Sequence, residues 1–305
     1  MSCIRTGRIL TGGLLLALLA GCNRETPVQG PTYTSQEKTQ DAKAHVVFAV
    51  HPLYNPQLLH KKYEPLMRYL SANITDTVFD LEASNDYADY EDKLKRREPQ
   101  FSLPNPYHAT MARQWGYEVI AKMGNDDVFR GIWIVRRDSP VKVPADLKGK
   151  VVAYPAPTAL AAAMMPQLYL QKHGVDVQTQ LKNVYVGTHN SSIMNVYLRQ
   201  SAASATWPVA WESFQKANPK EAAELKIIWQ TPQLIQNAVI ARKDVPPELV
   251  QQVRKLLVGL KDSDEGRALL VGIDTTSFEP SNDEQYEIVS QFMKEYDSKV
   301  RKKAP

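Results

Sequence analysis

From His45 onward, short apolar runs alternate with amphipathic segments, and this alternation restricts the fold more than any other feature of the sequence. Apolar runs such as HVVFAV at 45–50 and RGIWIVR at 130–136 have the length of buried strands, and the stretches between such runs have helical spacing. Strands that alternate with helices build a largely parallel sheet. The sequence therefore predicts an α/β fold.

The alternation falls into two series, which indicates two lobes. The first series predicts strands at 45–50, 77–82, 100–103, 117–122 and 130–136, and helices at 57–73, 86–97 and 105–115. The second series predicts strands at 150–154, 182–186, 203–206 and 225–229, and helices at 158–173, 190–200 and 208–217. Two further amphipathic helices, within 246–260 and 282–300, would pack on the first lobe.

Two similar stretches indicate where the chain passes between the lobes. GIWIVRRDSP at 131–140 and NAVIARKDVP at 237–246 are each an apolar strand that ends in basic residues, Asp and Pro. We interpret them as the strands by which the chain leaves lobe 1 and returns to it. This interpretation assigns residues 45–136 together with 235–305 to lobe 1 and residues 137–234 to lobe 2.

The N-terminus has the pattern of a lipoprotein signal. Arginines precede the apolar run at 9–19, and the sequence LAGC ends at Cys22. The run is too short to span a bilayer, whereas a basic segment, a short apolar run and small residues before a cysteine are typical of a cleaved and lipidated leader. We predict a signal peptide at 1–21, and a lipidated Cys22 with a flexible tether at 22–44.

The composition excludes several classes of function. Cys3 leaves with the signal peptide and Cys22 carries the lipid, so the folded part has no cysteine for a disulfide, a nucleophile or a zinc site. The formal net charge of +4 includes arginines of the signal peptide, so the mature chain is nearly neutral and a nucleic-acid partner is not expected. Nucleophile-elbow, phosphate-loop and His-Glu-x-x-His motifs are absent, so we expect neither an enzyme nor a cofactor.

Open α/β sheets bind ligands where strands end and helices begin, and this rule selects candidate site residues. They are His51, Tyr54, residues 85–87, residues 105–108, residues 155–158, residues 188–192, Thr206 and Trp207. The stretch at 188–192 opens a helix with hydroxyl groups, an imidazole and free backbone N–H groups, which suits an anion. Ser, Thr and Asn are also common helix caps, so plain capping is the alternative. Trp207 would either wall a cleft or pack in the core.

Three of the six histidines fall at these strand ends: His51, His108 and His189. Imidazoles bind metal ions, but these three are far apart in the sequence and match no short metal motif. We therefore expect no resident metal, and we keep a metal ion or metal oxyanion held by the three histidines as an alternative ligand. His189, at a helix start, is the imidazole best placed to contact an anion.

Six stretches of the chain carry a resemblance to a known family. They are YEPLMRYL (63–70), NDYADYEDKL (85–94), PNPYHATMA (104–112), DSPVKVPADLKGKVVAYPAPTAL (138–160), VGTHNSSIMNV (186–196) and LKIIWQTP (225–232). They resemble the phosphonate/phosphite substrate-binding proteins of ABC importers. This resemblance implies the type 2 periplasmic binding protein fold, with two Rossmann-like lobes joined by two hinge strands.

The resemblance also implies a small anionic ligand and a partner in the membrane, either an ABC permease or, as an alternative, a sensor kinase. We expect a monomer in the cell envelope. The lipid on Cys22 would attach it to the periplasmic face of the inner or outer membrane, or to the outer face of the cytoplasmic membrane.

The site residues implied by the resemblance follow by position. Thr158 and His189 would hold the phosphonate oxygens, and Tyr87 of lobe 1 would close on them. The chain departs from the family where a Ser-Thr-Ser helix start keeps only Thr158, and where Asn237 stands in place of an acidic residue that faces an amino group. We therefore expect an oxyanion without an amino group. The predicted ligand-binding residues are Tyr87, Tyr107, Thr158, His189, Asn190, Ser191, Ser192, Trp207 and Asn237.

Overall fold

Two β-sheets with helices packed around them make up residues 43–301, the part of the chain that the computed structural model describes. The strands are β1 (Ala44–Val50), β2 (Thr77–Glu82), β3 (Phe101–Leu103), β4 (Tyr117–Met123), β5 (Ile132–Arg136), β6 (Val151–Tyr154), β7 (Lys182–Tyr185), β8 (Ala203–Thr206), β9 (Leu225–Gln230), β10 (Ala238–Arg242) and β11 (Phe278–Pro280). The helices are α1 (Pro56–Asn73), α2 (Tyr87–Lys95), α3 (Pro106–Ala112), α4 (Met165–Lys172), α5 (His189–Tyr197), α6 (Pro208–Ala217), α7 (Pro219–Ala223), α8 (Pro247–Gly259), α9 (Asp264–Gly272) and α10 (Glu287–Lys299). A π-helical segment, Leu160–Met164, leads directly into α4.

The strand order separates the chain into two lobes. The first sheet has the order β11-β4-β10-β3-β1-β2, with β1 parallel to β2 and β3 and with β10 antiparallel to β3 and β4. The second sheet has the order β7-β6-β8-β5-β9, with β6 parallel to β7 and β8 and with β5 antiparallel to β8 and β9. We call the first sheet with its helices lobe 1 and the second lobe 2. The predicted α/β class with two lobes is confirmed.

β5 lies in lobe 2, so the predicted boundary after residue 136 is wrong. Ile132 and Ile134 pair with both β8 and β9, which places the strand inside the second sheet. The similar stretches at 131–140 and 237–246 contain the antiparallel strands of the two sheets, β5 in lobe 2 and β10 in lobe 1. The chain therefore crosses between the lobes at 124–131 and at 231–237, ahead of each strand rather than along it.

The two crossing segments are hydrogen-bonded to each other. The backbone N–H of Leu234 donates to the Phe129 carbonyl at 2.9 Å, and that of Thr231 donates to the Gly131 carbonyl at 2.8 Å. Thr231 Oγ1 accepts in turn from the Gly131 N–H at 2.9 Å. The lobes are therefore joined by a pair of segments that support each other.

Side-chain caps set the helix starts at the ends of strands. Four helices that directly follow parallel strands begin with a polar side chain that accepts a hydrogen bond from the first turn: Asn55 before α1, Asp86 before α2, Asn105 before α3 and Thr188 before α5. Each such cap typically contributes about 1 kcal/mol. Because these helices follow parallel strands, their first turns gather at the carboxyl ends of the two sheets, where ligands of open α/β folds bind.

The C-terminal helix α10 contacts both lobes. The Tyr296 hydroxyl donates to Oε1 of Gln167 in α4. Glu295 pairs with Lys172 of α4 at 2.9 Å. These contacts lie away from the crossing segments in the sequence, so they add a separate link between the lobes.

The predicted N-terminal leader lies outside the described residues. These exclude residues 1–42 and so the signal peptide, Cys22 and almost all of the tether. β1 already begins at Ala44, the last residue of the predicted tether. Between residues 43 and 301 no helix combines the length and the apolar character needed to cross a membrane.

Candidate functional site

A small cavity of about 20 Å³, lined by buried residues, lies where the two lobes meet. Every residue that lines it is buried. The lining residues are His51, Leu53, Tyr87, Asn105, Phe129, Ala159, Leu160, Ala161, Ala162, His189, Trp207 and Asn237. A cavity of this size holds about one water molecule, so the lobes are closed on each other.

The polar lining residues come from both lobes. In lobe 1, His51 follows β1, Tyr87 is the first residue of α2 and Asn105 caps α3. His189 is the first residue of α5 in lobe 2, and Asn237 ends the second crossing segment, directly before β10. The carboxyl ends of the parallel strands thus supply most of the polar groups, as the rule for open α/β sheets requires.

Among residues 43–301, no charged side chain lines the cavity. Burial lowers the pKa of His51 and of His189 to about 3, so both rings are neutral at ordinary pH. Burial also raises the pKa of the Tyr87 hydroxyl well above its usual range. The polar lining therefore consists entirely of neutral hydrogen-bonding groups.

The His51 ring has a fixed tautomer. Its Nδ1 lies 2.7 Å from the backbone oxygen of Leu103. A carbonyl oxygen only accepts, so Nδ1 carries the proton, and in a neutral imidazole the other nitrogen is then an acceptor. Nε2 has no hydrogen-bond partner among residues 43–301. His51 therefore brings an unused acceptor to the cavity.

Two hydrogen bonds beside the cavity join the lobes. His189 Nδ1 lies 2.9 Å from the Thr206 hydroxyl within lobe 2, and its Nε2 lies 3.4 Å from the hydroxyl of Tyr87 in lobe 1. Asn105 Nδ2 of lobe 1 donates to the backbone oxygen of Thr158 in lobe 2 at 3.0 Å. Separation of the lobes breaks both interlobe bonds.

Asn237 carries an unpaired polar atom. Its side chain is 1 % exposed, and Oδ1 has no hydrogen-bond partner among the described residues. Its amide nitrogen lies 3.7 Å from the sulfur of Met123, a weak acceptor. A buried acceptor without a partner costs about 1–3 kcal/mol. A ligand that donates to this oxygen would offset that cost.

The aliphatic wall of the cavity is the start of the helix at Leu160. Ala159 to Ala162 line the cavity, and Ala159, the N-cap residue, makes no side-chain cap bond. The first N–H groups of a helix have no partner within it, and they carry partial positive charge. This helix start therefore offers backbone donors to an anion, without any hydroxyl group.

Four of the predicted ligand-binding residues meet at the cavity: Tyr87, His189, Trp207 and Asn237. Asn190 and Ser191 instead line a larger neighbouring cleft of about 440 Å³. Because His189 and Leu53 belong to both linings, the cleft adjoins the cavity.

Three predicted residues, Thr158, Tyr107 and Ser192, are not among the residues that line the cavity, and their role in ligand binding stays a prediction. The helix begins at Leu160, so Thr158 lies before its first turn. The Ser192 hydroxyl donates to the His189 carbonyl at 3.0 Å. Tyr107 packs edge-on against His108, with ring centroids 5.0 Å apart.

The three buried histidines do not converge on a metal site. His108 Nδ1 lies 3.1 Å from Asn105 Oδ1, and its Nε2 lies 3.6 Å from a Glu91 carboxylate oxygen, so the ring is engaged within lobe 1. In the described part of the chain, no group of three or more His, Cys, Asp or Glu residues is placed to hold a metal ion. The alternative of a metal held by His51, His108 and His189 has no support in the structure.

The sequence reasoning missed the apolar half of the cavity, which consists of Leu53, Phe129 and Ala159 to Ala162. Phe129 comes from the first crossing segment and packs against Trp207, with ring centroids 5.9 Å apart. Crossing segments have no pattern of their own in the sequence, so nothing indicated this residue. Leu53 stands two positions after His51, and the strand-end rule extends to it.

Comparisons with known proteins agree with each other. A family model described as the periplasmic substrate-binding protein of phosphonate ABC transporters matches residues 48–286. A probable phosphite-binding protein of an ABC transporter, PhnD1 of Prochlorococcus marinus, is 25% identical to this chain over 135 residues. That match covers 42% of this chain and 46% of the relative, so it spans about half of the relative's length.

Two solved structures have a similar fold. The binding-protein component of an ABC phosphonate transporter from Pseudomonas aeruginosa has a TM-score of 0.76 at 18% identity, over 82% of this chain and 86% of that one. PhnD1 of Prochlorococcus marinus in complex with methylphosphonate has a TM-score of 0.75 at 18% identity, over 83% of this chain and 98% of that one. The two-lobed fold of type 2 periplasmic binding proteins, as predicted, is confirmed.

Proposed function

Because the chain belongs to the family of periplasmic substrate-binding proteins of phosphonate ABC transporters, we propose that it captures a small oxyanion of the phosphonate or phosphite type and delivers it to a membrane permease. The observation that carries this proposal is the small, buried cavity between the lobes, where an uncapped helix start meets neutral polar groups of both lobes. Helix starts bind oxyanions through their free N–H groups. The family consists of transport components, and no catalytic step is proposed.

The lining of the cavity supports a small ligand without an amino group. At about 20 Å³ the cavity holds about one water molecule, so any oxyanion must widen it, and the smallest oxyanions require the least widening. No carboxylate of the described part of the chain lines it, and Glu91 is engaged with His108 and with Lys95, the latter at 3.1 Å. An ammonium group would therefore enter without a counter-charge, which is costly in a buried site. Phosphite and methylphosphonate fit this description better than an aminoalkylphosphonate.

The cellular setting is part of the proposal. We place the protein in the cell envelope as a monomer, anchored through a lipid on Cys22, because the N-terminal sequence has the lipoprotein pattern. Family membership favours a permease as the partner over a sensor kinase. Incorporation of a radiolabelled fatty acid into the wild-type chain, and its loss in Cys22→Ser, is the expected outcome for the anchor.

Thermal unfolding of the purified protein with separate ligands tests the binding proposal. The panel holds phosphite, methylphosphonate, 2-aminoethylphosphonate, sulfate and zinc chloride. A ligand at 100 times its Kd stabilises the fold by about 2.7 kcal/mol, which gives a clear rise in Tm. We expect a rise with phosphite or methylphosphonate, a smaller one with 2-aminoethylphosphonate, and none with zinc.

Two variants test whether the ligand-induced rise in Tm comes from binding at the cavity. His189→Gln should remove most of the rise, since His189 lines the cavity and bonds to Tyr87. His173→Gln, which removes an exposed imidazole from the end of α4, is the matched control and should keep the rise. Absence of a response to every phosphorus oxyanion would contradict the proposal, and a larger response to 2-aminoethylphosphonate would contradict its amine-free form.

A further inference from the structure

We propose that the ligand is bound with a proton on one of its oxygens, and that Nε2 of His51 accepts a hydrogen bond from that hydroxyl group. This inference rests on the proposed function and goes beyond it, because it specifies the protonation state that the site selects. The chemical class is a tetrahedral oxyanion with at least one P–O–H group, such as a hydrogen phosphonate monoanion. Fully deprotonated anions of the same shape are excluded.

The first observation is the direction of the His51 ring. The bond of 2.7 Å to the Leu103 carbonyl uses the N–H of the ring. This leaves Nε2 with a lone pair, on a residue that lines the cavity and is 2 % exposed. A lone pair repels an anionic oxygen and attracts a hydroxyl group. His51 can therefore be satisfied only by a donor.

Asn237 provides the second, independent observation. Its Oδ1 is a buried acceptor without a partner, and the residue lines the same cavity. Two unused acceptors thus belong to one closed space. The donors needed by the anionic oxygens come from the helix start at Leu160, which has no side-chain cap. The cavity combines donors for a negative charge with acceptors for a hydroxyl group.

The surroundings of His51 keep its ring neutral. Tyr87 and Tyr90 of α2 face it with ring centroids 6.2 and 6.3 Å away, and His108 of α3 and His189 of α5 disfavour its positive charge. The nearby carboxylate of Glu91 lies against His108. Burial lowers the pKa of His51 to about 3, so the ring does not titrate between pH 5 and pH 9. A change of affinity within that range then reports the ligand's own protonation.

Methylphosphonate and methanesulfonate form the decisive pair of probes, because they have nearly the same shape. The methylphosphonate monoanion keeps an O–H group, whereas methanesulfonate has none at any pH of the experiment. Isothermal titration calorimetry of the whole protein at about pH 6 should give at least tenfold tighter binding of methylphosphonate. Above the second pKa of methylphosphonate its affinity should fall about tenfold per pH unit, since the monoanion becomes scarce.

Two outcomes overturn the inference and leave the proposed function standing. One is binding of methanesulfonate as tight as that of methylphosphonate. The other is methylphosphonate affinity that stays constant or rises across the ligand's second pKa. Absence of binding by any phosphorus oxyanion would instead contradict the proposed function itself, so the two failures are distinguishable.

Two separate variants test which residue accepts the hydrogen bond from the ligand's hydroxyl group. His51→Phe keeps a ring of similar size and removes Nε2, and Asn237→Leu removes the second acceptor. We expect at least one of them to reduce the preference for methylphosphonate over methanesulfonate by tenfold or more. A ratio that is unchanged in both variants would refute the role of these acceptors. Since the measurement is a ratio, a general loss of folded protein does not alter it.

Discussion

Acidification should destabilise the ligand-free protein through its buried imidazoles. Burial holds the pKa of His51 and of His189 at about 3, against 6.5 for an ordinary imidazole. Below pH 6.5 the unfolded chain takes up protons that the native state cannot take up. The contribution of these histidines to the free energy of unfolding is therefore complete above pH 6.5 and is lost as the pH falls towards 3.

The size of the effect follows from the difference between the two pKa values. Each histidine contributes about 1.4 kcal/mol per pH unit in this window, so its loss reaches about 2.7 kcal/mol at about pH 4.5. The pair then accounts for about 5 kcal/mol, which is comparable with the entire stability of many domains. The assay is urea unfolding of the wild type and of His51→Gln at several values between about pH 8 and about pH 4.5.

The two stability curves should converge as the pH falls. His51→Gln is less stable at about pH 8, because it disturbs the bond to Leu103, but it loses about 2.7 kcal/mol less on acidification. His173→Gln, which removes an exposed imidazole, is the control and should run parallel to the wild type. Parallel curves for His51→Gln and the wild type would refute the reasoning.

A substitution at the helix start should change ligand affinity, and one in the crossing segment should change the stability of the fold. Ala161→Ser adds a hydroxyl donor to the cavity wall and should tighten oxyanion binding at least tenfold by calorimetry, whereas Ala163→Ser, which does not line the cavity, should not. Gly131→Ala would place a methyl group 2.6 Å from the Ala161 carbonyl oxygen and 2.7 Å from the Pro166 ring, and should cost about 1–3 kcal/mol in urea unfolding. Gly272→Ala meets nothing within 4 Å and should be nearly neutral; equal losses in the two glycine variants would contradict the steric argument.

Local chemistry made much of the fold and most of the polar site predictable. A polar residue directly after a strand is a local sequence pattern that predicts a helix start. Asn105 and Thr188 fit this pattern, and each caps the helix that the sequence predicted. Tyr87 and His189 are first residues of such helices, so the strand-end rule brought them to the site.

The rest depended on pairing between distant parts of the chain. β5 joins the second sheet through β8 and β9, and no property of residues 132–136 distinguishes that sheet from the first. Thr158 was assigned to the ligand by its position in the family resemblance, whereas the helix begins at Leu160 and aliphatic residues line the cavity there. The tautomer of His51 also depends on β3, fifty-two positions away at Leu103.

The closed cavity sets a limit on the speed of binding. Its walls come from both lobes and all of its lining residues are buried, so a ligand enters only while the lobes are apart. For protein that rests in this closed arrangement, the observed association rate rises with ligand concentration and then levels off at the rate of opening. Opening breaks the Tyr87–His189 and Asn105–Thr158 hydrogen bonds, so these bonds contribute to the opening rate. The plateau therefore has the same value for every ligand, tight or weak. Under these conditions ligands differ in affinity because they differ in dissociation rate.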